Sequence, residues 1–241
     1  MILITRPIKE SKILAHELSK QKIQTHIEPL LSFQTKKVDY QFIESKNYIV
    51  SSVQAVHSIK KNNLFVKPLT KETKFFVVGK KVVEALHSIG VHQIENQFLN
   101  SNALVDFMRH NNNFTHPFIY LCGNNANQEL IQSFEEMRKP IEQIVLYETI
   151  SLEQLKSKTI KLIRDQVIHG VALYSLFTAQ TFLKLITQAE CQKLAQDLVY
   201  YCLSENIAGF MQSNNYSNSF YSNIPEQESL ISLITSSGRY K

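Results

Sequence analysis

Short runs of β-branched and aromatic residues alternate with stretches whose apolar residues recur at helical spacing, almost from one end of the chain to the other. Parallel strands need crossover connections, usually helical, so this alternation points to parallel sheets covered by helices, an α/β fold. The strand candidates are Ile2 to Thr5, Thr25 to Glu28, Tyr48 to Ser51, Phe75 to Val78, Phe118 to Leu121, Ile144 to Tyr147, Val171 to Tyr174 and Val199 to Leu203. Between them, Leu14, Ala15 and Leu18, then Val82, Val83 and Leu86, then Leu104, Val105 and Met108 mark apolar helix faces. Phe182, Leu185 and Ile186, and finally Leu230, Leu233 and Ile234, mark two more.

Eight or more strands in 241 residues suit two small doubly wound lobes better than one barrel of repeating units, which takes about 250 residues. Two polar segments, 31–38 and 147–153, interrupt the alternation and read as paired crossings between the lobes. The division expected is a discontinuous first lobe, 1–33 with 151–241, and a second lobe, 34–150, inserted into it. The Asn-, Ser- and Tyr-rich stretch from Gln212 to Asn223 reads as a loop holding one short strand.

Apolar residues at 44% and charged residues at 20% are ordinary for a globular protein and exclude collagen-like, coiled-coil and disordered chains. Met1-Ile2-Leu3-Ile4-Thr5-Arg6-Pro7 is too short an apolar run for a signal peptide, and no run approaches the ~20 residues of a membrane span. Three scattered cysteines, Cys122, Cys191 and Cys202, suggest neither a disulfide framework nor a zinc site. The expected setting is the cytoplasm, with no membrane partner. The net charge of +5 is spread over pairs such as Lys36-Lys37, Lys60-Lys61 and Lys80-Lys81, with no basic helix or stacking-aromatic motif, so nucleic acid is not the expected partner.

The phosphate-binding, dinucleotide and serine-hydrolase signatures are missing. The eight histidines include no H-x-x-x-H or H-E-x-x-H pair, so metal catalysis is not expected. What recurs is a small polar group where a strand ends and a helix begins: Ser51-Ser52, Gly79, Cys122-Gly123-Asn124, Ser175 with Thr178, and Ser204. Any one of these could simply be an N-cap or turn. Repeated over both lobes, they suit a ligand with several carboxylates, because amides at strand ends and helix N-termini bind anions.

Several segments resemble the uroporphyrinogen-III synthase family in sequence order: Ile2-Leu3-Ile4-Thr5-Arg6-Pro7, Ile49-Val50-Ser51-Ser52-Val53-Gln54-Ala55-Val56, and Phe76-Val77-Val78-Gly79-Lys80. Leu121-Cys122-Gly123-Asn124, Val145-Leu146-Tyr147-Glu148-Thr149, Tyr174-Ser175-Leu176-Phe177-Thr178-Ala179 and Leu203-Ser204-Glu205-Asn206-Ile207-Ala208 continue the series. The chain departs from the family at Asn100-Ser101-Asn102-Ala103 and Ser204, where glycine is common, and at Asn127 and Gln128, where a basic residue is common.

The resemblance implies two flavodoxin-like lobes joined by a two-stranded linker, with the active site in a cleft. It implies hydroxymethylbilane as substrate, closed to uroporphyrinogen III with loss of water and inversion of ring D, without cofactor or metal. Tyr147 matches the family's cleft tyrosine, a general acid or hydrogen-bond donor to the leaving hydroxyl. Arg6 matches an early basic residue facing a substrate carboxylate. Ser51, Ser52, Gly79, Cys122, Gly123, Asn124, Ser175, Thr178 and Ser204 would bind carboxylates, mostly through backbone amides. The resemblance also allows a transient hand-over of substrate from the preceding pathway enzyme. A non-catalytic tetrapyrrole-binding or regulatory homologue would keep the same fold, whereas a two-lobed solute-binding protein would normally be exported.

Overall fold

The computed structural model describes residues 1–39, 47–64, 73–112, 114 and 116–236. Its elements run β1 (Ile2–Ile4), α1 (Ile8–Lys20), β2 (Thr25–Ile27), β3 (Leu31–Thr35), β4 (Asn47–Val50), α2 (Val53–Lys61), β5 (Lys74–Val78), α3 (Lys80–Ser88) and β6 (Ile94–Phe98). They continue with α4 (Ser101–His110), β7 (Phe118–Gly123), α5 (Gln128–Glu136), β8 (Ile141–Ser151), α6 (Ser157–Arg164), β9 (Gly170–Leu173) and α7 (Leu176–Gln188). The last are α8 (Gln192–Gln196), β10 (Val199–Cys202), α9 (Glu205–Ser213), β11 (Ser219–Tyr221) and α10 (Gln227–Ser236). The fold is α/β, and the chain divides into two compact units, Met1–Ser32 with Ile150–Lys241, and Phe33–Thr149.

The discontinuous unit holds a sheet of order β11-β10-β9-β1-β2, parallel throughout. Counted within the unit this is 2-1-3-4-5, the flavodoxin order. Its three central strands, β1, β9 and β10, are buried on both sides, and alternation splits them between two cores. Leu3, Val171, Leu173, Tyr200 and Cys202 face α7 and α9. Ile2, Ile4, Ala172, Val199 and Tyr201 face Leu14 and Leu18 of α1 and Leu230 and Ile234 of α10. Burying each of the larger aliphatic side chains contributes about 1.5 to 3 kcal/mol, so both faces must be covered, and the helices do this.

In the inserted unit the parallel strands follow the order β8-β7-β4-β5-β6. Counted within the unit this is 3-2-1-4-5 read from β6, also doubly wound. Tyr48, Val50, Phe75, Val77, Ile119 and Leu121 face α2 and α3, while Ile49, Phe76, Phe118, Tyr120 and Cys122 face α4 and α5.

Most of the two polar segments is strand, Leu31–Thr35 forming β3 and residues 147–151 the end of β8. β3 and β8 are neighbours, and each carries the chain from one unit into the other. The Leu152 amide donates to the Leu30 carbonyl at 2.8 Å and the Lys36 amide to the Leu146 carbonyl at 2.9 Å. The partner number falls as the residue number rises, so the ribbon is antiparallel. β3 is largely exposed, which is why it lacks an apolar signature.

Candidate active site

A doubly wound sheet opens a crevice at the carboxyl ends of its strands, where successive crossovers turn to opposite sides. In the inserted unit the chain goes outward from β4 to β5 and β6, then returns to β7 on the other flank of β4. The reversal therefore lies between β4 and β7. Ser51 and Ser52 follow β4, Gly123 ends β7, and Asn124 follows it.

Tyr147 reaches this point because of a β-bulge. β7 and β8 run in register from Phe118 opposite Ile141 to Cys122 opposite Val145, and then Gly123 pairs with Tyr147, leaving Leu146 as an extra residue. Strict alternation would put Tyr147 on the face of Val145, which packs with α4 and α5. The extra residue puts Tyr147 beside Leu146 on the opposite face, with α2 and α3.

Contacts from Gly123, Asn124, Phe33 and Ser52 then hold the side chain and its backbone. A Cβ on Gly123 would lie 2.6 Å from Cε2 and Cζ of Tyr147, so only glycine leaves room for the ring. The Asn124 amide donates to the Tyr147 carbonyl at 3.1 Å, and Asn124 Oδ1 accepts from the Thr149 amide at 2.8 Å. Phe33 meets the ring edge-on at 5.8 Å. The Tyr147 hydroxyl donates to Ser52 Oγ at 3.0 Å.

Ser52 is the N-cap of α2, and its Oγ also accepts from the Gln54 amide at 3.1 Å. Beside it, Ser51 Oγ lies 2.8 Å from the Tyr120 hydroxyl. Burial raises the Tyr147 phenol above its ordinary pKa, partly offset by the bond to Ser52, and burial likewise raises Tyr120. Cys122 is buried, with Sγ 3.8 Å from the Ile144 carbonyl, and its pKa is pushed up to about 11. It is a thiol at neutral pH and a poor nucleophile. Gly79 begins α3 at φ +94°, a conformation that favours glycine, and its amide donates to the Phe98 carbonyl at 2.8 Å. Lys80 and Lys81 are exposed.

Arg6, Ser175, Thr178 and Ser204 belong to the discontinuous unit, where the reversal falls between β1 and β9. Arg6 follows β1, and its guanidinium carbon sits 4.1 Å from the centroid of the Tyr174 ring, which follows β9. Arg6 Nη1 donates to Gln227 Oε1 at 2.9 Å. Burial raises the Tyr174 phenol, and the Arg6 guanidinium beside it draws it partway back. Ser175 caps α7, its Oγ accepting from the Thr178 amide at 3.1 Å and lying 2.7 Å from Thr178 Oγ1. Ser204 precedes α9 and makes no side-chain capping bond. Three of the site's features escape a reading of the sequence. Tyr120 reads as one more core residue of a strand, Gln227 is over two hundred positions from Arg6, and a bulge has no signature in a single sequence.

Among the described residues no group of three or more His, Cys, Asp or Glu is placed to hold a metal ion, and no helix is long and apolar enough to cross a membrane. The family model described as Uroporphyrinogen-III synthase HemD matches residues 12–232. A mutant uroporphyrinogen III synthase from the extreme thermophile Thermus thermophilus superposes with a TM-score of 0.63 at 11% identity, over 100% of this chain and 98% of that one. A uroporphyrinogen-III synthetase from Helicobacter pylori superposes with a TM-score of 0.65 at 13% identity, over 98% of each chain. No curated protein is significantly similar in sequence. At such identities the structures speak to the fold alone, while the family model spans most of the chain. The chain belongs to the uroporphyrinogen-III synthase family.

Proposed function

We propose that the protein converts hydroxymethylbilane to uroporphyrinogen III in tetrapyrrole biosynthesis, with loss of water and inversion of ring D. The observation that most supports this reading is the cluster at the reversal point of the inserted unit. There Tyr147 is turned by a bulge, accommodated by Gly123 and bonded to Ser52. Such a cluster offers hydroxyl donors at the mouth of a crevice, as loss of a hydroxyl requires.

The reaction takes one proton onto the departing oxygen and releases one from the pyrrole framework. The protein therefore has to lend hydrogen bonds and fix geometry, without supplying a net proton. Holding the linear chain so that ring D reacts at its substituted carbon is a matter of orientation, which a fixed site can supply. Substrate carboxylates would be met at the turns around Ser51, Ser52, Gly79, Cys122, Gly123 and Asn124 in one unit, by groups other than the Gly79 and Asn124 amides, which are already bonded to the Phe98 and Tyr147 carbonyls. Arg6 and the helix starts at Ser175, Thr178 and Ser204 would serve in the other.

The test is a coupled assay that generates hydroxymethylbilane in situ, adds the purified protein, oxidises the products and separates the type I and type III uroporphyrins. Type III product is expected. Type I alone from folded protein refutes the activity and favours a non-catalytic homologue.

A further inference from the structure

Hydrogen bonding around Tyr147 singles out a different residue as the group that meets the departing hydroxyl. A phenol has one proton, and that of Tyr147 is committed to Ser52 Oγ. Ser52 Oγ receives two donors, the Tyr147 hydroxyl at 3.0 Å and the Gln54 amide at 3.1 Å. A hydroxyl oxygen has two lone pairs, so both are occupied and the Ser52 O–H is what this pair has left to donate. Ser52 is partly exposed, so that proton can meet a ligand.

The surroundings favour the same order. Gly123 and Phe33 lie against the Tyr147 ring, the Asn124 amide bonds its carbonyl, and the ring is partly buried against the α2 and α3 core. A residue so constrained is suited to orienting a neighbour. Accepting a bond from Tyr147 polarises the Ser52 hydroxyl and strengthens it as a donor, because hydrogen bonds in a chain reinforce one another.

We propose that Ser52 is the catalytic donor to the departing hydroxyl and that Tyr147 is a positioning residue acting through it. This rests on the proposed activity and assigns roles within the same site. Ser52 gives a hydrogen bond and keeps its proton. The C–O bond breaks with its electron pair going to oxygen, and the proton that completes water is matched by the one released from the pyrrole framework.

The experiment is a double-mutant cycle on kcat, KM and product isomer, using Tyr147→Phe, Ser52→Ala and the pair together, with Ser52→Thr as the conservative variant. Thermal melts establish that each variant is folded. Tyr147→Phe should lower kcat about fivefold, the effect of one neutral hydrogen bond behind the donor, with KM nearly unchanged. Ser52→Ala should lower kcat by roughly tenfold to a hundredfold, the effect of one hydrogen bond to an oxygen that gains charge as it leaves. The double variant should match Ser52→Ala alone, and Ser52→Thr should restore most of the rate, since threonine keeps both hydroxyl and cap. If Tyr147→Phe costs the same factor with and without Ser52, Tyr147 acts directly and the assignment is overturned. If the wild-type protein makes no type III product, the activity itself fails, and the assignment with it.

Discussion

Replacing Gly123 with alanine tests the packing that places Tyr147. The added Cβ would sit 2.6 Å from Cε2 and Cζ and 3.0 Å from the hydroxyl oxygen. Carbon atoms prefer to be about 3.5 to 4.0 Å apart, so the ring must retreat by roughly 1 Å. The bond to Ser52 is 3.0 Å long and would be stretched beyond hydrogen-bonding range. Overpacking of this kind costs about 1 to 3 kcal/mol. In a chain of this size, about 2 kcal/mol corresponds to a fall in Tm of roughly 4 to 8 °C. The assay is denaturant unfolding of wild type, Gly123→Ala, Tyr147→Ala and the double variant. With the ring gone the three closest contacts of the new Cβ are removed, so the penalty of Gly123→Ala should largely disappear in the Tyr147→Ala background. An equal penalty in both backgrounds would refute the argument that Gly123 is required by the Tyr147 ring.

Cys122, buried with its pKa pushed up to about 11, should react with a thiol reagent at neutral pH only once denaturant is added. His26 has its pKa lowered from 6.5 in the folded state, burial being the largest cause. The unfolded state therefore binds the proton more readily, so its contribution to stability is present above pH 6.5 and is lost as pH falls through the lower, folded value. Unfolding curves from pH 7.5 downward should show that loss weakened in His26→Gln.

The strands that carry the fold are legible because each is apolar on both faces. Ile2 to Ile4 and Val199 to Cys202 are buried along their whole length, as strands of a parallel sheet covered on both faces are. β3 and β6 are harder to read, since Leu31–Thr35 and Ile94–Phe98 at sheet edges mix exposed and buried positions. The turns at Ser52 and Ser175 are visible as cap residues, and both make side-chain capping bonds. Their partners are not visible. The Tyr147 to Ser52 bond depends on one extra residue in β8, and the Arg6 to Gln227 bond joins opposite ends of the chain.

The most direct measurement of the central claim is the fraction of type III product as the protein is titrated into excess hydroxymethylbilane. Unaided closure yields the type I isomer and supplies the competing clock. The account predicts that type III replaces type I nearly completely at protein concentrations far below that of substrate, showing turnover. A product mixture that stays type I at every concentration, or type III formed only in proportion to the protein added, would contradict it.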